Sequence, residues 1–348
     1  MNFNHPDKIL IILIGGIGDF VIGIPALKSL RNIFPQSKIV LLTSERVYPY
    51  ASFCPWTDEV FSFPFSLTFK NLFKIPQIIT KLHNKHFDII INFYEIGSWF
   101  GSFKMFLLFF LIGGKYKVGR NTNGKGFFYN IKIKDKGEKS QGDYYQDIIK
   151  FFGGKINYKD KFAFWISERS KQNIEKFLLE NKILPDDFLI GINPGSARKT
   201  RYWFPERFAE VSDKLVEKYN AKIIILGGPG EEKLAFDIAY NMKKKPIIIA
   251  GKTSIEEVIV LIKKLKLLIT TNSSLMHIAN SLEIPFVCLI GPGDIIKDAP
   301  YMGNEEKYVL IQKKIPCIPC YKNKCKKMDC MKKIIVEDVL KAVEKLKI

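Results

Sequence analysis

The sequence predicts an α/β protein made of two Rossmann-like units, each a doubly wound parallel sheet with helices on both faces. Two observations predict this class: short apolar runs alternate with amphipathic helical segments, and the alternation restarts in the second half of the chain. The length of 348 residues suits two domains, and 47% hydrophobic residues are enough to build a core in each. Two such units in tandem are expected to face a cleft.

In the first half, strands are predicted at 8–14, 38–43, 59–65 and 87–93, and helices from a glycine-rich turn to about Arg31 and over 71–84. The continuous apolar run KILIILI at 8–14 is typical of a strand buried on both faces. Pro25 lies inside the first helix, so we expect that helix to be irregular or to begin late, which would leave room for a ligand at its start.

The most apolar segment is MFLLFFLIGG at 105–114. It is too short to cross a bilayer, and we expect it to form a buried helix. A contact with the membrane surface, beside the basic stretch that follows, is the alternative.

In the second half, helices are predicted over 168–182, 205–219, 254–265, 273–282 and 335–347. Ser254 and Glu257 form a Ser-x-x-Glu capping box at the start of the third of these helices. The strands between them are FLIGINPG (188–195), AKIIILGGPG (221–230), PIIIAG (246–251), LKLLITT (265–271) and PFVCLIGPG (285–293). The predicted domains are therefore 1–165 and 166–334, with 335–348 a C-terminal helix that packs back on the first domain.

The formal net charge of +19 indicates anionic partners such as a phosphorylated substrate or an acidic membrane face. The charge is clustered, since residues 313–333 contain eight lysines and one acidic residue. A lysine-rich genome is the alternative explanation. The sequence contains no zinc-finger spacing with histidines and no aromatic RNA-binding stretch, so nucleic acid is not an expected partner. The first apolar run is too short for a signal peptide, and we expect a cytoplasmic protein.

The glycine-rich turn GGIGDF links the first strand to the first helix. Gly16 and Gly18 match two glycines of the dinucleotide fingerprint GxGxxG, but Val21 stands where the third belongs. Asp19 follows at the helix N-terminus, where the helix dipole stabilises a carboxylate. Asp19 is therefore either a helix cap or a general base that takes a proton from a hydroxyl group.

Three turns in the second half follow strand ends, and we expect them to hold one ligand, because ligands bind at the carboxyl ends of parallel strands. The turn NPGSARKT and the arginine after it offer amide, hydroxyl and cationic groups that suit a diphosphate. The residues concerned are Asn193, Ser196, Lys199 and Arg201.

The other two turns are GGPGEE (227–232) and TTNSSLMH (270–277). Glu231 and Glu232 suit ribose or sugar hydroxyls, or they cap a helix. Asn272 or Ser273 caps the helix that follows the last turn, and the amides of Ser274 and Leu275 are placed to bind phosphate. His277, one turn further on, is either a phosphate contact or a structural histidine.

Four cysteines lie in the segment CIPCYKNKCKKMDC, namely Cys317, Cys320, Cys325 and Cys330. Their spacing is compatible with a structural zinc or iron ion held tetrahedrally by four thiolates. Unlinked thiols and disulfides are the alternatives, although a cytosolic chain does not need disulfides.

Six segments in the same order resemble glycosyltransferase family 9, the lipopolysaccharide heptosyltransferases, over nearly the whole chain. They are GGIGDFVIGIPALKSLR, INPGSARKTRYWFPERFAEV, IIILGGPGEE, GKTSIEEV, NSSLMHIANSLEIPFVCLIGPGD and CIPCYKNKCKKMDC. The resemblance implies a GT-B fold and a transfer that inverts the anomeric centre and needs no metal for chemistry. It implies ADP-heptose as the donor and the inner core of lipopolysaccharide as the acceptor.

The resemblance also implies roles for individual residues. Asp19 would be the base that deprotonates the acceptor hydroxyl, and Gly16 and Gly18 would let the acceptor sugar approach. Arg201 stands in place of a usual lysine and would stabilise the leaving diphosphate. The implied donor-binding residues are Asn193, Ser196, Lys199, Arg201, Glu231, Glu232, Thr253, Asn272, Ser273, Ser274, Leu275 and His277.

The chain departs from the family at Asn272, where an aspartate that contacts the donor sugar is usual, and at Ser274, often a glycine. These two departures bear on the identity of the donor sugar more than on the type of reaction. The expected partners are a nucleotide sugar, a lipid-linked or oligosaccharide acceptor and the anionic inner face of the cytoplasmic membrane. The alternatives are another nucleotide sugar, a catalytically weak binding protein of this fold, and a dinucleotide-dependent oxidoreductase, against which the missing glycine counts.

Overall fold

A computed structural model describes residues 6–64 and 69–348. The chain divides into two compact units, Met1–Trp165 and Ile166–Ile348. Each unit contains a parallel sheet of six strands flanked by helices, and both sheets have the Rossmann strand order 3-2-1-4-5-6 when their strands are numbered within the unit. The predicted fold class of two doubly wound units is thus confirmed.

The first unit is built on strands β1 (Lys8–Leu13), β2 (Lys38–Ser44), β3 (Glu59–Phe63), β4 (Ile89–Asn92), β5 (Tyr116–Thr122) and β6 (Ile131–Asp135). Its helices are α1 (Ile17–Ile33), α2 (Tyr48–Ala51), α3 (Phe69–His83), α4 (Trp99–Ile112) and α5 (Gln141–Phe151). The central strand β1 pairs with β2 and β4, and Ile9, Leu10, Ile11 and Ile12 are fully buried. A strand covered on both faces explains the unbroken apolar run. Phe65, the last residue of the predicted third strand, lies outside the described residues.

The expectation that Pro25 makes the first helix irregular or late is wrong. α1 begins at Ile17, directly after the turn, and continues through Pro25 to Ile33. An interior proline costs about 3 kcal/mol. Phe20, Val21, Ile24 and Leu27 are all buried on this helix, and each contributes about 1.5–3 kcal/mol, so packing outweighs the lost hydrogen bond.

The expectation of a fully buried helix around residues 105–114 is also wrong in part. The helix exists as α4, and Met105, Leu108, Phe109 and Ile112 pack into the core of the first unit. Its opposite face is exposed and equally apolar.

The second unit is built on strands β7 (Leu189–Asn193), β8 (Lys222–Ile225), β9 (Ile247–Ile248), β10 (Leu267–Thr271), β11 (Phe286–Leu289) and β12 (Tyr308–Ile311). Its helices are α6 (Glu168–Glu180), α7 (Pro205–Tyr219), α8 (Glu232–Asn241), α9 (Ile255–Ile262), α10 (Ser274–Ser281), α11 (Asp329–Lys332) and α12 (Val336–Lys345). The predicted capping box is present, because Ser254 and Glu257 bond reciprocally at the start of α9.

The C-terminal helix α12 buries its apolar face in the core of the second unit. Val336, Val339, Ala342 and Val343 join the same cluster as Trp203, whose indole Nε1 donates to the Ile334 carbonyl at 3.0 Å. The sequence had suggested packing on the first domain instead. α12 begins shortly after α11, whose Cys330 and Met331 already pack in this core, so its nearest apolar surface belongs to the second unit.

Candidate active site

Both sheets reverse their strand order next to a predicted functional turn. In the first unit the reversal lies between β1 and β4, and the turn Gly15–Asp19 follows β1. In the second unit it lies between β7 and β10, which the turns 193–200 and 271–277 follow. Parallel sheets open a crevice for ligands at this point, so the topology places the predicted residues where ligands bind.

Asp19 occupies the third position of α1, and its carboxylate reaches back to the start of the helix. Its Oδ2 accepts a hydrogen bond from the backbone N–H of Gly16 at 2.7 Å. Gly16 is the N-cap residue, so the predicted capping role belongs jointly to these two residues. The hydrogen bond and the positive end of the helix dipole both favour the ionised carboxylate.

The surroundings of Asp19 also involve residues that the sequence analysis did not select. A Cβ at Gly15 would collide with the Asp19 carboxylate, so glycine is required there. The carbonyl of Gly15 accepts the Ser44 hydroxyl at 2.8 Å, which ties the turn to β2. Tyr94, just past β4, is close enough for the Asp19 charge to raise its phenolic pKa, in addition to the larger effect of burial. Gly18 lies half-buried at the second position of the helix.

In the second unit the three predicted turns are brought together. The Asn193 side-chain amide donates to Thr270 Oγ1 at 2.8 Å and to Ser273 Oγ at 2.7 Å. Ser196 Oγ donates to the Asn272 carbonyl at 2.9 Å. The carboxylate of Glu231 lies against Gly195, where any Cβ would collide with it. The fold therefore brings the three predicted turns to one place.

Arg201 is the cation at the centre of this cluster. Its Nη1 donates to the Asn272 carbonyl at 3.1 Å, and its Nη2 lies 3.7 Å from the Asp298 carboxylate. Its Nε is buried and has no hydrogen-bond partner among the described residues. Burial lowers the pKa of the guanidinium, but an arginine stays charged in proteins. A buried N–H without a partner carries a desolvation cost that an anionic ligand would remove.

Asp298, in the loop after β11, is a site residue that the sequence analysis missed. Its Oδ2 accepts a hydrogen bond from the Asn272 side-chain amide at 2.7 Å, and Gly293 leaves room for this carboxylate. Burial raises the pKa of Asp298, against the opposing effects of Arg201 and Asn272. An aspartate at position 272 would set two carboxylates against each other, so the amide is the side chain that this arrangement accommodates.

The start of α10 is arranged to leave its backbone amides available. Ser273 holds the N-cap position, yet its side chain makes no capping hydrogen bond; its hydroxyl is engaged by Asn193 instead. The first amides of a helix without such a cap form an anion-binding site.

His277 lies on the first turn of α10 and is a neutral imidazole at neutral pH. The residue is half-buried, and its Nδ1 is buried without a hydrogen-bond partner among the described residues. Burial, with a smaller contribution from the Arg201 charge, lowers the pKa of His277 to about 4. A neutral imidazole beside Arg201 offers one N–H donor to a ligand without adding charge.

The depressed pKa of His277 predicts an acid-dependent loss of stability. Between pH 6.5 and 4 the unfolded chain binds a proton at this residue that the folded chain does not, so stability falls as pH falls through this window. On going from pH 7 to pH 4, the wild type should lose on the order of 2 kcal/mol more than a His277→Asn variant. Urea unfolding of both proteins across this range measures the difference, and equal losses would contradict the assignment.

The two predicted acidic residues face different neighbours. Glu231 Oε2 accepts the Gly228 N–H at 2.8 Å, and burial raises the pKa of Glu231. Glu232 is half-buried against Gly251, whose positive φ of 75° places its backbone next to that carboxylate. Of the remaining predicted residues, Lys199 is exposed, and Thr253, Ser274 and Leu275 are half-buried.

A structural metal ion at the cysteine loop, as the spacing suggested, is not supported by the described residues. Cys317, Cys320, Cys325 and Cys330 are free thiols, and no group of three or more potential ligands in residues 6–64 and 69–348 could hold a metal ion.

The cysteine loop instead supports the site through its backbone. The carbonyl of Tyr321 accepts Arg198 Nη1 at 2.6 Å, and that of Lys322 accepts the Thr200 hydroxyl at 2.7 Å. The N–H groups of Cys320 and Tyr321 donate to the Pro292 carbonyl. These bonds connect the loop to the turn that carries Arg201 and to the loop that carries Asp298.

Known proteins match this chain as follows. The model of "Glycosyltransferase family 9 (heptosyltransferase)" matches residues 75–331. The lipopolysaccharide core heptosyltransferase OpsX of Haemophilus influenzae is 23% identical over 306 residues, which is 85% of this chain and 82% of that protein.

Solved structures share the fold. A glycosyl transferase family 9 protein from Veillonella parvula superposes with a TM-score of 0.77 at 22% identity, covering 98% of this chain and 97% of the other. Escherichia coli heptosyltransferase WaaC with ADP superposes with a TM-score of 0.70 at 17% identity, covering 97% and 99%.

Proposed function

The chain belongs to glycosyltransferase family 9 (heptosyltransferase), and from this premise we propose that it transfers heptose from ADP-heptose to a lipopolysaccharide-core acceptor with inversion of the anomeric centre. The observation that supports the donor-binding role is a pair of buried nitrogens that find no hydrogen-bond partner within the described part of the chain. They are Arg201 Nε and His277 Nδ1, in the same cluster as the start of α10, where Ser273 makes no side-chain capping bond. The names of its relatives supply the sugar: OpsX is a core heptosyltransferase, and WaaC was solved with ADP.

The donor diphosphate is proposed to lie at the start of α10. The α10 amides hydrogen-bond its oxygens, while Arg201 and the exposed Lys199 neutralise its charge. Ser196 supports this site by donating to the Asn272 carbonyl. The carboxylate of Glu231 or Glu232 accepts hydrogen bonds from the ribose. Asn193 and Thr253 are the remaining residues of the proposed donor site. Asn193 contributes by holding Ser273 in place.

The donor sugar is proposed to meet Asn272 and Asp298. The side-chain amide of Asn272 is turned to Asp298, so the negative charge at this point of the site comes from the loop after β11. A carboxylate next to a sugar accepts hydrogen bonds from its hydroxyls.

The acceptor half of the chemistry is proposed for the first unit. The Asp19 carboxylate takes the proton of the acceptor hydroxyl, and the oxygen attacks the anomeric carbon of heptose. The bond from that carbon to the diphosphate oxygen breaks, and ADP leaves with the electron pair. Arg201 and the α10 amides stabilise the charge that develops on the leaving oxygen, so the step needs no metal ion. A single displacement of this kind inverts the anomeric centre.

A thermal-shift panel tests the donor assignment. Ligand present at a hundredfold excess over its Kd stabilises the folded state by about 2.7 kcal/mol, which for a domain of this size is roughly 5–10 °C in Tm. ADP and ADP-heptose should produce such a shift, while UDP- and GDP-linked sugars should produce little. Stabilisation by UDP- or GDP-sugars alone would contradict the ADP-heptose assignment while leaving the reaction class in place.

A further inference from the structure

The outward face of α4 is the most apolar surface among the described residues of the first unit. Six of its side chains are exposed: Trp99 (61%), Phe100 (69%), Phe103 (53%), Leu107 (39%), Phe110 (66%) and Leu111 (47%). They recur at intervals of three and four residues and so share one side of the helix. Phe127, in the loop between β5 and β6, is 49% exposed and extends this surface. The centroid of its ring lies 5.7 Å from that of the Phe106 ring.

The size of this α4 face sets it apart from scattered surface apolar residues. Taking about 200 Å² per aromatic side chain, the four exposed aromatics of α4 alone present roughly 500 Å² to solvent. This is the size of the largest apolar patch on a typical monomer, and patches of that size mark binding surfaces.

Positive charge predominates around the α4 face. Residues 96–134, which contain α4, β5 and all of β6 except Asp135, have seven Lys and Arg residues and no Asp or Glu; Glu95 and Asp135 flank this range. Lys104 lies on the helix, with its ammonium 4.3 Å above the Phe100 ring, and Lys125 Nζ donates to the Gly97 carbonyl at the start of the helix. The neighbouring α3 is also free of acidic residues, and His83 at its end contacts the Leu111 carbonyl.

The backbone of α4 is suited to an apolar environment. Ser98 Oγ accepts the Gly101 N–H at 3.1 Å, which caps the start, and the Gly113 N–H closes the end on the Phe109 carbonyl. With 14 residues the helix is about 21 Å long, too short to cross a bilayer. No helix within residues 6–64 and 69–348 has the length and hydropathy of a membrane span. The exposed side of α4 can therefore enter a bilayer surface without spanning it, while its other side stays packed in the core of the first unit.

We infer that the α4 face docks this enzyme on an anionic lipid bilayer, with the aromatics entering the headgroup region and the lysines contacting acidic headgroups. An excess of positive charge favours an anionic partner, and aromatic side chains flanked by lysine are typical of interfacial helices. The inference extends the proposed function, because a lipid-linked acceptor is presented at such a surface. Vesicle binding needs neither donor nor turnover, so the two proposals can fail separately.

Vesicle co-sedimentation tests this inference on the full-length chain. The probes are phosphatidylcholine vesicles with and without about 30 mol% phosphatidylglycerol. The anionic lipid gives the vesicles a negative surface potential, which attracts basic segments. The test variant is Phe100→Glu/Phe103→Glu/Phe110→Glu. The matched control, Leu179→Glu/Leu184→Glu/Phe236→Glu, changes three equally exposed apolar residues of the second unit.

The wild type and the control should bind the anionic vesicles at least tenfold more tightly than the neutral ones, and binding should weaken with salt. The test variant should lose at least tenfold in affinity while keeping the circular dichroism spectrum and Tm of the wild type. Lys104→Gln/Lys115→Gln removes the lysine on α4 and the exposed lysine just after it. This variant should lose affinity for anionic vesicles only, and it tests the charges without altering the apolar side chains.

Three results would overturn the inference. One is a wild type that does not sediment with anionic vesicles, and another is a control that loses as much affinity as the test variant. The third is a wild type that is dimeric in lipid-free buffer by analytical ultracentrifugation while the test variant is monomeric and the vesicle affinities are equal. That result would make the α4 face a contact between two copies of the chain.

Discussion

An Asp19→Asn variant is expected to lose turnover by about 10²–10⁴-fold while its fold and donor affinity stay close to those of the wild type. The amide oxygen of asparagine can still accept the Gly16 N–H that Asp19 Oδ2 accepts at 2.7 Å, so α1 keeps its first turn. What the substitution removes is the negative charge and the basic oxygen. Steady-state kcat with saturating donor and acceptor, together with Tm, measures both effects.

Asp143→Asn is the matched control for this variant. Asp143 also occupies the third position of a helix in the first unit, where its carboxylate accepts the Ser140 hydroxyl at 2.8 Å. Both substitutions should cost about 0.3–1 kcal/mol of stability through the helix dipole, but only Asp19→Asn should lower kcat. An Asp19→Asn variant with wild-type kcat would show that this carboxylate is a cap alone.

Arg201→Met is expected to lower kcat by about 10²–10³-fold and to weaken ADP binding, because it removes the cation that stabilises the leaving diphosphate. It should also destabilise the fold, because the half-buried Asp298 would lose its ion-pair partner and keep the hydrogen bond from Asn272. These two effects can be separated. Arg201→Met/Asp298→Asn should recover much of the stability, since no unpaired charge remains, and none of the turnover lost through Arg201.

Arg207→Met is the control for losing a structural arginine. Arg207 donates to the carbonyls of Lys332 and Ile334 and so ties α7 to the segment before α12. The Arg207→Met variant should therefore have a lower Tm than the wild type, with an unchanged kcat per folded molecule. If Arg201→Met/Asp298→Asn recovers kcat together with stability, Arg201 has a structural role only, and the leaving-group proposal is wrong.

Much of the fold follows from the sequence, because buried parallel strands have unbroken apolar runs. β1, β7 and β10 were predicted within two residues at each end, and α7 was predicted over the same residues as observed. β5, β6 and β12 were missed. β6 carries lysines on alternate positions, IKIKD at 131–135, and β5 carries Lys117 and Arg120, so the charge of both strands resembles that of a loop.

The prediction of a buried α4 failed for a reason that bears on function. Apolar content alone does not distinguish a helix that is covered on all sides from one whose outer face is exposed. Periodicity is no guide, because the helix is apolar all round. Only the coordinates show which half of its side chains is exposed.

Most of the site residues could be predicted from the sequence, and Asp298 could not. The turns around Asp19, Asn193 and Asn272 were found because glycine, asparagine and serine after a strand have a local meaning. Asp298 was missed because it reaches the site from 26 residues beyond Asn272, through a loop without regular structure. A carboxylate in such a loop has no local signal in the sequence.

The central claim is a single inverting displacement from ADP-heptose, and product analysis tests it most directly. The purified protein is incubated with ADP-heptose and a lipopolysaccharide inner-core acceptor, and the product is examined by mass spectrometry and by NMR of the new anomeric centre. We predict an acceptor heavier by one heptose, one ADP released per product, and an anomeric configuration opposite to that of the donor. A product of retained configuration, or release of ADP without any glycosylated acceptor, would contradict the account.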